Sequence, residues 1–290
     1  MTRLLVVAGL TALIHFINTL IYGVRLAGVR TQRLALAISL FNVIFLVAST
    51  ANTIQAPLLS SLVEKAINAG LGTVTRPAEV SRLVESDFYR GHLAILQGDI
   101  RLVIAAATLG TVLGALLIPA FVQVFSRAIL LFEEAGSVPR LLATVFFSPR
   151  RVFGFARRVR VARVEVLRRA TRRSPPIPKA FLLLNIVVTG VYTTGVLSAL
   201  YAGALFPLYR STATLLAPLV NGVATVLAAT VVDPTAAMIT DQALRGVRGE
   251  EDVKLMVLYL ALTRFLGTLL AQVLFLPAAE AIRLAAQLIV

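Results

Sequence analysis

Residues 15–33 read HFINTLIYGVRLAGVRTQR, and the solvent assigned to this stretch decides the fold. His15, Asn18, Tyr22 and Arg25 recur at spacings of 3, 4 and 3, so on an α-helix they share one stripe. Apolar residues fill most of the remaining positions, and Arg30 and Arg33 follow close behind. In water such a helix buries its apolar side and wets its stripe. In lipid the stripe turns inward.

Composition selects lipid. The 290-residue chain is 58% hydrophobic and 14% charged, with a mean hydropathy of +0.87, far from the averages of soluble domains. Six runs are long and apolar enough to cross a hydrocarbon core of ~30 Å: Leu4 to Val24, Leu34 to Ile54, Ile100 to Phe121, Ala180 to Phe206, Thr212 to Val232 and Leu255 to Leu276. The expected fold is therefore all-α, one polytopic membrane domain over residues 1–290. The first run lacks the compact apolar region and small-residue cleavage site of a removable signal, and is expected to be retained. The chain has no cysteine, and His15 and His92 are its only histidines, so no metal or other cofactor is expected.

The formal charge of +14 is concentrated: from Arg140 to Lys179 twelve basic residues face Glu165 alone, which accounts for +11. Because cytoplasmic loops retain arginine and lysine, this segment and the basic turn Arg25 to Arg33 are expected inside. Both termini then fall outside, together with residues 55–98. That outer loop balances Lys65, Arg76, Arg82 and Arg90 against Glu64, Glu79, Glu85 and Asp87. Its segments SSLVEKAINAGL and RPAEVSRLVESDFYR both carry helical spacing, with Gly70, Gly72 and Pro77 between them, and predict a helical hairpin on the extracytoplasmic side.

Within the long basic loop, 122–179, residues Val152, Phe155, Val159, Ala162 and Val166 recur at helical spacing among the arginines. The pattern predicts an amphipathic helix over 150–173 lying on the anionic lipids of the inner leaflet, ended by SPPIP at 174–178. The same arginines also serve topology alone. No interleaved aromatic platform accompanies them, so nucleic acid is not an expected partner.

Polar residues inside the spans carry the functional information, since an ionisable side chain in hydrocarbon costs roughly 2.5 to 3.5 kcal/mol on insertion scales. The first span shows Thr11, His15, Asn18, Tyr22 and Arg25; the sixth shows Arg264, Thr268 and Gln272. Lesser stripes are Ser39, Asn42, Ser49 and Thr53 in the second span and Thr214, Asn221 and Thr225 in the fifth. These stripes either line a shared polar interior or bond helix to helix as packing contacts. Gly110 with Gly114, and Gly195, Ala199 and Gly203, mark close helix contacts, within the chain or in a homodimer. There is no GxxxxGK[ST] phosphate loop, which argues against ATP hydrolysis, and no set of catalytic residues is evident.

YGVRLAGVRTQRLALAISLFN (22–42), STANTIQAPLLSSLVEKAI (49–67) and VDPTAAMITDQALRG (232–246) resemble the Amj family, with VRLAGVRTQR the most specific piece. Members of that family are bacterial lipid II flippases, an alternative to the MurJ type. The resemblance implies a cytoplasmic-membrane protein that moves undecaprenyl-pyrophosphate carrying a disaccharide and peptide from the inner to the outer leaflet. It transfers no site residues. On chemistry alone, Arg25, Arg30, Arg33 and Arg264 are the expected pyrophosphate ligands, because guanidinium forks match phosphate oxygens. His15, Asn18, Tyr22 and Asn42 are expected to meet the sugar and peptide. The alternatives are a membrane enzyme acting on a polyprenyl phosphate through Asp233, Asp241 or His92, and a scaffold whose basic loop recruits envelope machinery.

Overall fold

The computed structural model describes residues 1–73, 77–137, 140 and 177–290, apart from the side chains of 77–79, 81 and 134. Among them every regular element is helical, and six helical stretches are long and apolar enough to cross a membrane. They are α1 (Thr2–Thr31), α2 (Leu34–Leu71), α3 (Asp87–Ala135), α4 (Lys179–Leu205), a segmented fifth stretch (Pro207–Leu244) and the last helix (Glu250–Ile289). In lipid each backbone N–H and C=O must be satisfied within its own segment, and uninterrupted helices meet that demand. Leu46, Val223 and Val273 stay more than half exposed on the outside of the bundle, as a lipid-facing surface allows.

Helix α1 is the hub, packed against both α2 and α3, while α4 pairs with the last helix. The α1–α2 turn is tight: Gln32 adopts a left-handed conformation (φ 57°), and Gln32 and Arg33 donate to the carbonyls of Val29 and Gly28 at 3.2 and 3.0 Å. A Cβ on Gly28 would lie 2.8 Å from Leu34, so glycine is required for this reversal.

The α1–α3 contact explains the GxxxG pair. A Cβ on Gly110 would stand 2.0 Å from the Ala12 carbonyl oxygen, and one on Gly114 would stand 2.8 Å from Thr19. The motif brings two helices of one chain together. The second small-residue row is also used within the chain, since a Cβ on Gly195 would meet Asn221 and one on Gly203 would meet Arg210.

The described residues of 55–98 do not form a separate layer. Helix α2 runs 38 residues, about 57 Å, so it extends well past a ~30 Å hydrocarbon core and takes in the first expected arm. A 3-10 turn (Pro77–Glu85) then leads to α3, whose Ser86 hydroxyl accepts from the Tyr89 amide at 3.3 Å. The Tyr89 ring packs where a Gly70 Cβ would sit, and its hydroxyl donates to the Ala204 carbonyl at 2.8 Å. The start of α3 and the end of α2 are thereby joined to the end of α4. The amphipathic helix expected over 150–173 lies outside the described residues.

The fifth stretch is broken. It comprises α5 (Arg210–Leu215), α6 (Ala217–Leu227), a π-helical turn (Ala228–Val232) and α7 (Asp233–Leu244); the last helix is α8. Pro234 has no N–H for the Thr230 carbonyl and its ring crowds that turn, so the chain widens and the Asp233 amide donates to Ala228, five residues back. Thr225, Thr230 and Thr235 return their hydroxyls to carbonyls four residues earlier, which satisfies them without a neighbouring helix.

Replacing Gly110 with leucine should separate α1 from α3 and cost several kcal/mol, read as a large fall in Tm of the purified protein. Gly222→Ala, where nothing lies within 4 Å of the added carbon, should leave Tm unchanged.

Candidate functional site

Two sets of polar residues emerge, one at an end of the bundle and one inside it. At the end where α1 turns into α2, each expected arginine meets a carboxylate. Arg25 lies 3.9 Å from Asp233, the first residue of α7, and Arg30 donates from Nε to Glu250 at 2.8 Å. Arg33 pairs with Glu133 near the end of α3, and Lys254 approaches Glu250 at 3.1 Å. Four helices thus converge on one charged face. Arg25 is the most shielded of the three arginines and has the loosest pair: its side chain is 21% exposed, and that of Asp233 is 69% exposed.

Inside the bundle, Tyr22 and Asn185 face each other across α1 and α4, with 3.5 Å between the hydroxyl and Oδ1. The Asn185 amide then donates to the Thr263 hydroxyl at 2.8 Å and to the Leu260 carbonyl at 3.3 Å. This links three helices at one level. Along α1 toward its amino terminus, His15 lies within electrostatic reach of Arg264 on α8. Nδ1 of His15 and Nε of Arg264 are both buried without a hydrogen-bond partner among the described residues. Thr11 accepts from Gln55 at 2.5 Å in the next layer.

The remaining expected residues divide. Asn18 is half-buried on the same helix as His15, whereas Asn42 is exposed with Ser39, Ser49 and Thr53 on an outer side of α2. The apolar positions Ala37, Leu40, Phe41 and Ala48 turn inward instead, and a helix cannot bury both sides against one neighbour. Thr268 is buried but bonds its own helix, at the Phe265 carbonyl. The groups considered for acid-base chemistry do not converge: Asp241 pairs with Arg245 at 3.0 Å, Asp233 faces Arg25, and His92 packs edge-on against Phe88.

Sequence reasoning missed Asn185 and Arg101. Asn185 is a lone amide in the apolar run LLLNIVV, and that isolation is the signal that marks it. Arg101 sits one residue into the third expected span. It donates to the Gln272 carbonyl at 3.1 Å, lies 5.9 Å over the Phe275 ring, and its own carbonyl accepts from the Gln272 amide at 2.9 Å.

Fold and site together define a polytopic helical membrane protein with a cation held among its spans and a charged network at one end. Residues 10–286 match the family described as Amj, Alternate to MurJ. The chain is also 34% identical over 278 residues to a Bacillus subtilis (strain 168) protein named lipid II flippase Amj, covering 96% of this chain and 94% of that one. No solved structure matches. The chain belongs to the Amj family.

The interior bond between Asn185 and Thr263 is open to a double-mutant cycle. Asn185→Ala and Thr263→Val should each lower stability, with a coupling of about 0.6 to 1.7 kcal/mol in the double variant. A coupling near zero would remove the bond from the interior network.

Proposed function

We propose that the chain is a flippase of the bacterial cytoplasmic membrane that moves lipid II from the inner to the outer leaflet. The observation that carries this reading is Arg264 Nε, the one cationic donor that is buried without a partner among the described residues, with the equally unpartnered His15 Nδ1 within electrostatic reach; Ser126 Oγ and Asn221 Oδ1 also lack partners but carry no charge. An anion with many acceptor oxygens supplies what Arg264 lacks, and pyrophosphate is such an anion. The named relative, a lipid II flippase, supports the choice of cargo.

The cargo's pyrophosphate is received at the charged face, where it exchanges with the carboxylates now held by Arg25, Arg30 and Arg33. Arg25 exchanges first, because its 3.9 Å pair with Asp233 is the weakest to displace. A charge-assisted, multidentate contact to phosphate replaces a single long one. Arg264 then holds the head group midway, with His15, Asn18 and Tyr22 beside it, while the polyprenyl chain stays in lipid. Asn42 meets the head group only from the outer side of α2. No ATP-hydrolysis motif accompanies these residues, and the chain acts as a transporter and not as an enzyme.

Both termini face outside in this reading, and the charged face lies at the cytoplasm with the arginine-rich residues 150–173 on anionic lipid. Since the chain has no native cysteine, single cysteines report this directly. A cysteine at Gly72 should react with an impermeant thiol reagent in intact cells, and one at Val247 only after the cells are opened. In cells lacking every other lipid II flippase, the chain should restore growth and surface-exposed lipid II. Arg25→Ala should lower that exposure roughly tenfold to a hundredfold, the loss of one or two charged contacts. Full exposure by Arg25→Ala at matched protein levels would remove Arg25 from the route.

A further inference from the structure

Far from the charged face, α2, α4 and α5 enclose a cleft of about 300 Å³, within the size range of small-ligand sites. Glu64 is thirty residues along α2 from the start of that helix, which places the cleft ~45 Å from the α1–α2 turn and at the opposite end of the bundle. Ser60 and Glu64 line one side; Arg210, Ser211 and Thr214 line the other. Gly203 forms the floor, and its missing side chain is needed there: a Cβ would stand 3.1 Å from the Arg210 carbonyl oxygen and 3.2 Å from the Thr214 hydroxyl. The wall is steadied by the Tyr89 hydroxyl on the adjacent Ala204 carbonyl.

The two charges in this cleft are exposed, and neither is held in an ion pair among the described residues. Arg210 forms no ion pair among the described residues, and Glu64 meets only the Ser60 hydroxyl, at 3.4 Å. A guanidinium and a carboxylate therefore share one hollow without closing on each other, whereas the arginines of the charged face are each matched to a carboxylate. Apolar Val63, Ile67, Leu200 and Leu215 complete the lining, and Leu215 is 75% exposed on the apolar fifth stretch. A cation, a carboxylate, hydroxyls and an apolar exit to lipid are the groups that a phosphate-linked sugar on a long hydrocarbon chain would meet.

We propose that this cleft is a second head-group site, in which Arg210 binds the diphosphate of a lipid-linked sugar, Glu64 and Ser60 accept and donate to sugar hydroxyls, and the chain leaves past Leu215. The proposal rests on the transport reading above and places its terminal binding step at the face opposite Arg25. Its volume suits a diphosphate with one sugar ring and leaves the peptide outside.

Ser211→Cys, in the otherwise cysteine-free full chain reconstituted in nanodiscs, provides the test through its rate of alkylation by a maleimide. Purified lipid II should slow that reaction at least tenfold, undecaprenyl diphosphate should slow it less, and inorganic pyrophosphate at equal concentration should not slow it. Adding Arg210→Ala should abolish protection at unchanged Tm, and adding Arg210→Lys should retain part of it. Glu64→Gln should weaken protection by lipid II while leaving that by undecaprenyl diphosphate intact. Equal protection by inorganic pyrophosphate would mean a site for soluble anions and overturn the lipid assignment. No protection by lipid II, in a variant that still restores growth of flippase-deficient cells, would overturn the cleft and leave the transport reading standing. Failure of the unmodified chain to restore growth would count against transport itself, whatever the alkylation rates.

Discussion

A guanidinium group keeps its charge and five N–H donors in any protein environment, so within a membrane it requires an anion, water or converging carbonyls. Arg264 meets that constraint incompletely from the described residues, since its Nε is buried and unbonded. Arg101, Arg30 and Arg33, by contrast, are provided for. Arg101 has an amide, a carbonyl and an aromatic ring; Arg30 and Arg33 have glutamates. The exception lies beside His15, which is also left without a partner, on the stripe that the first helix turns inward. A bundle that satisfies a threonine hydroxyl by returning it to its own backbone has the means to neutralise an arginine. It has not done so here, and under the proposed function the cargo supplies the partner.

The frame around this position is rigid where helices meet through glycine. Gly110 and Gly114 bring α3 onto α1, and a Cβ on Gly267 would lie 2.5 Å from Thr189, which shows how closely α8 approaches α4. Such contacts fix the spacing of four helices to within a methyl group. The fifth stretch is built differently, from short segments, a π turn and the Pro234 break. Asp233, which faces Arg25, is the residue at which the π turn gives way to α7. The displacement of Asp233 proposed above would therefore act on the span that is segmented, whose other end carries Arg210.

Much of this was legible in the sequence. In lipid the hydrophobic pattern has one dominant solution, so all six spans fall where hydropathy places them, and the Tyr22 to Arg33 stretch runs to a charged end as its stripe suggests. The ion pairs were not legible. Arg30 and Glu250 are 220 residues apart and Arg33 and Glu133 are 100 apart, and no local spacing encodes such a meeting. Asn42 followed its stripe but not the bundle, because a helix with two polar edges buries only the one that faces a neighbour. The first arm of 55–98 reads correctly as helical and stops at Gly72, yet it is the end of α2 and not a separate helix: α2 continues through Gly70, whose missing side chain admits the Tyr89 ring. Asn185 was overlooked because a single amide makes no stripe.

The most direct test of the central claim is the paired measurement of stability and transport for Arg264→Met, which keeps much of the side chain's bulk and removes its charge. A half-buried guanidinium whose Nε has no partner opposes folding of the empty protein. Arg264→Met should therefore show a higher Tm than the parent chain together with loss of lipid II exposure in cells that depend on this protein alone. A fall in Tm would make Arg264 a structural contact, and normal lipid II exposure would show that the route does not use it.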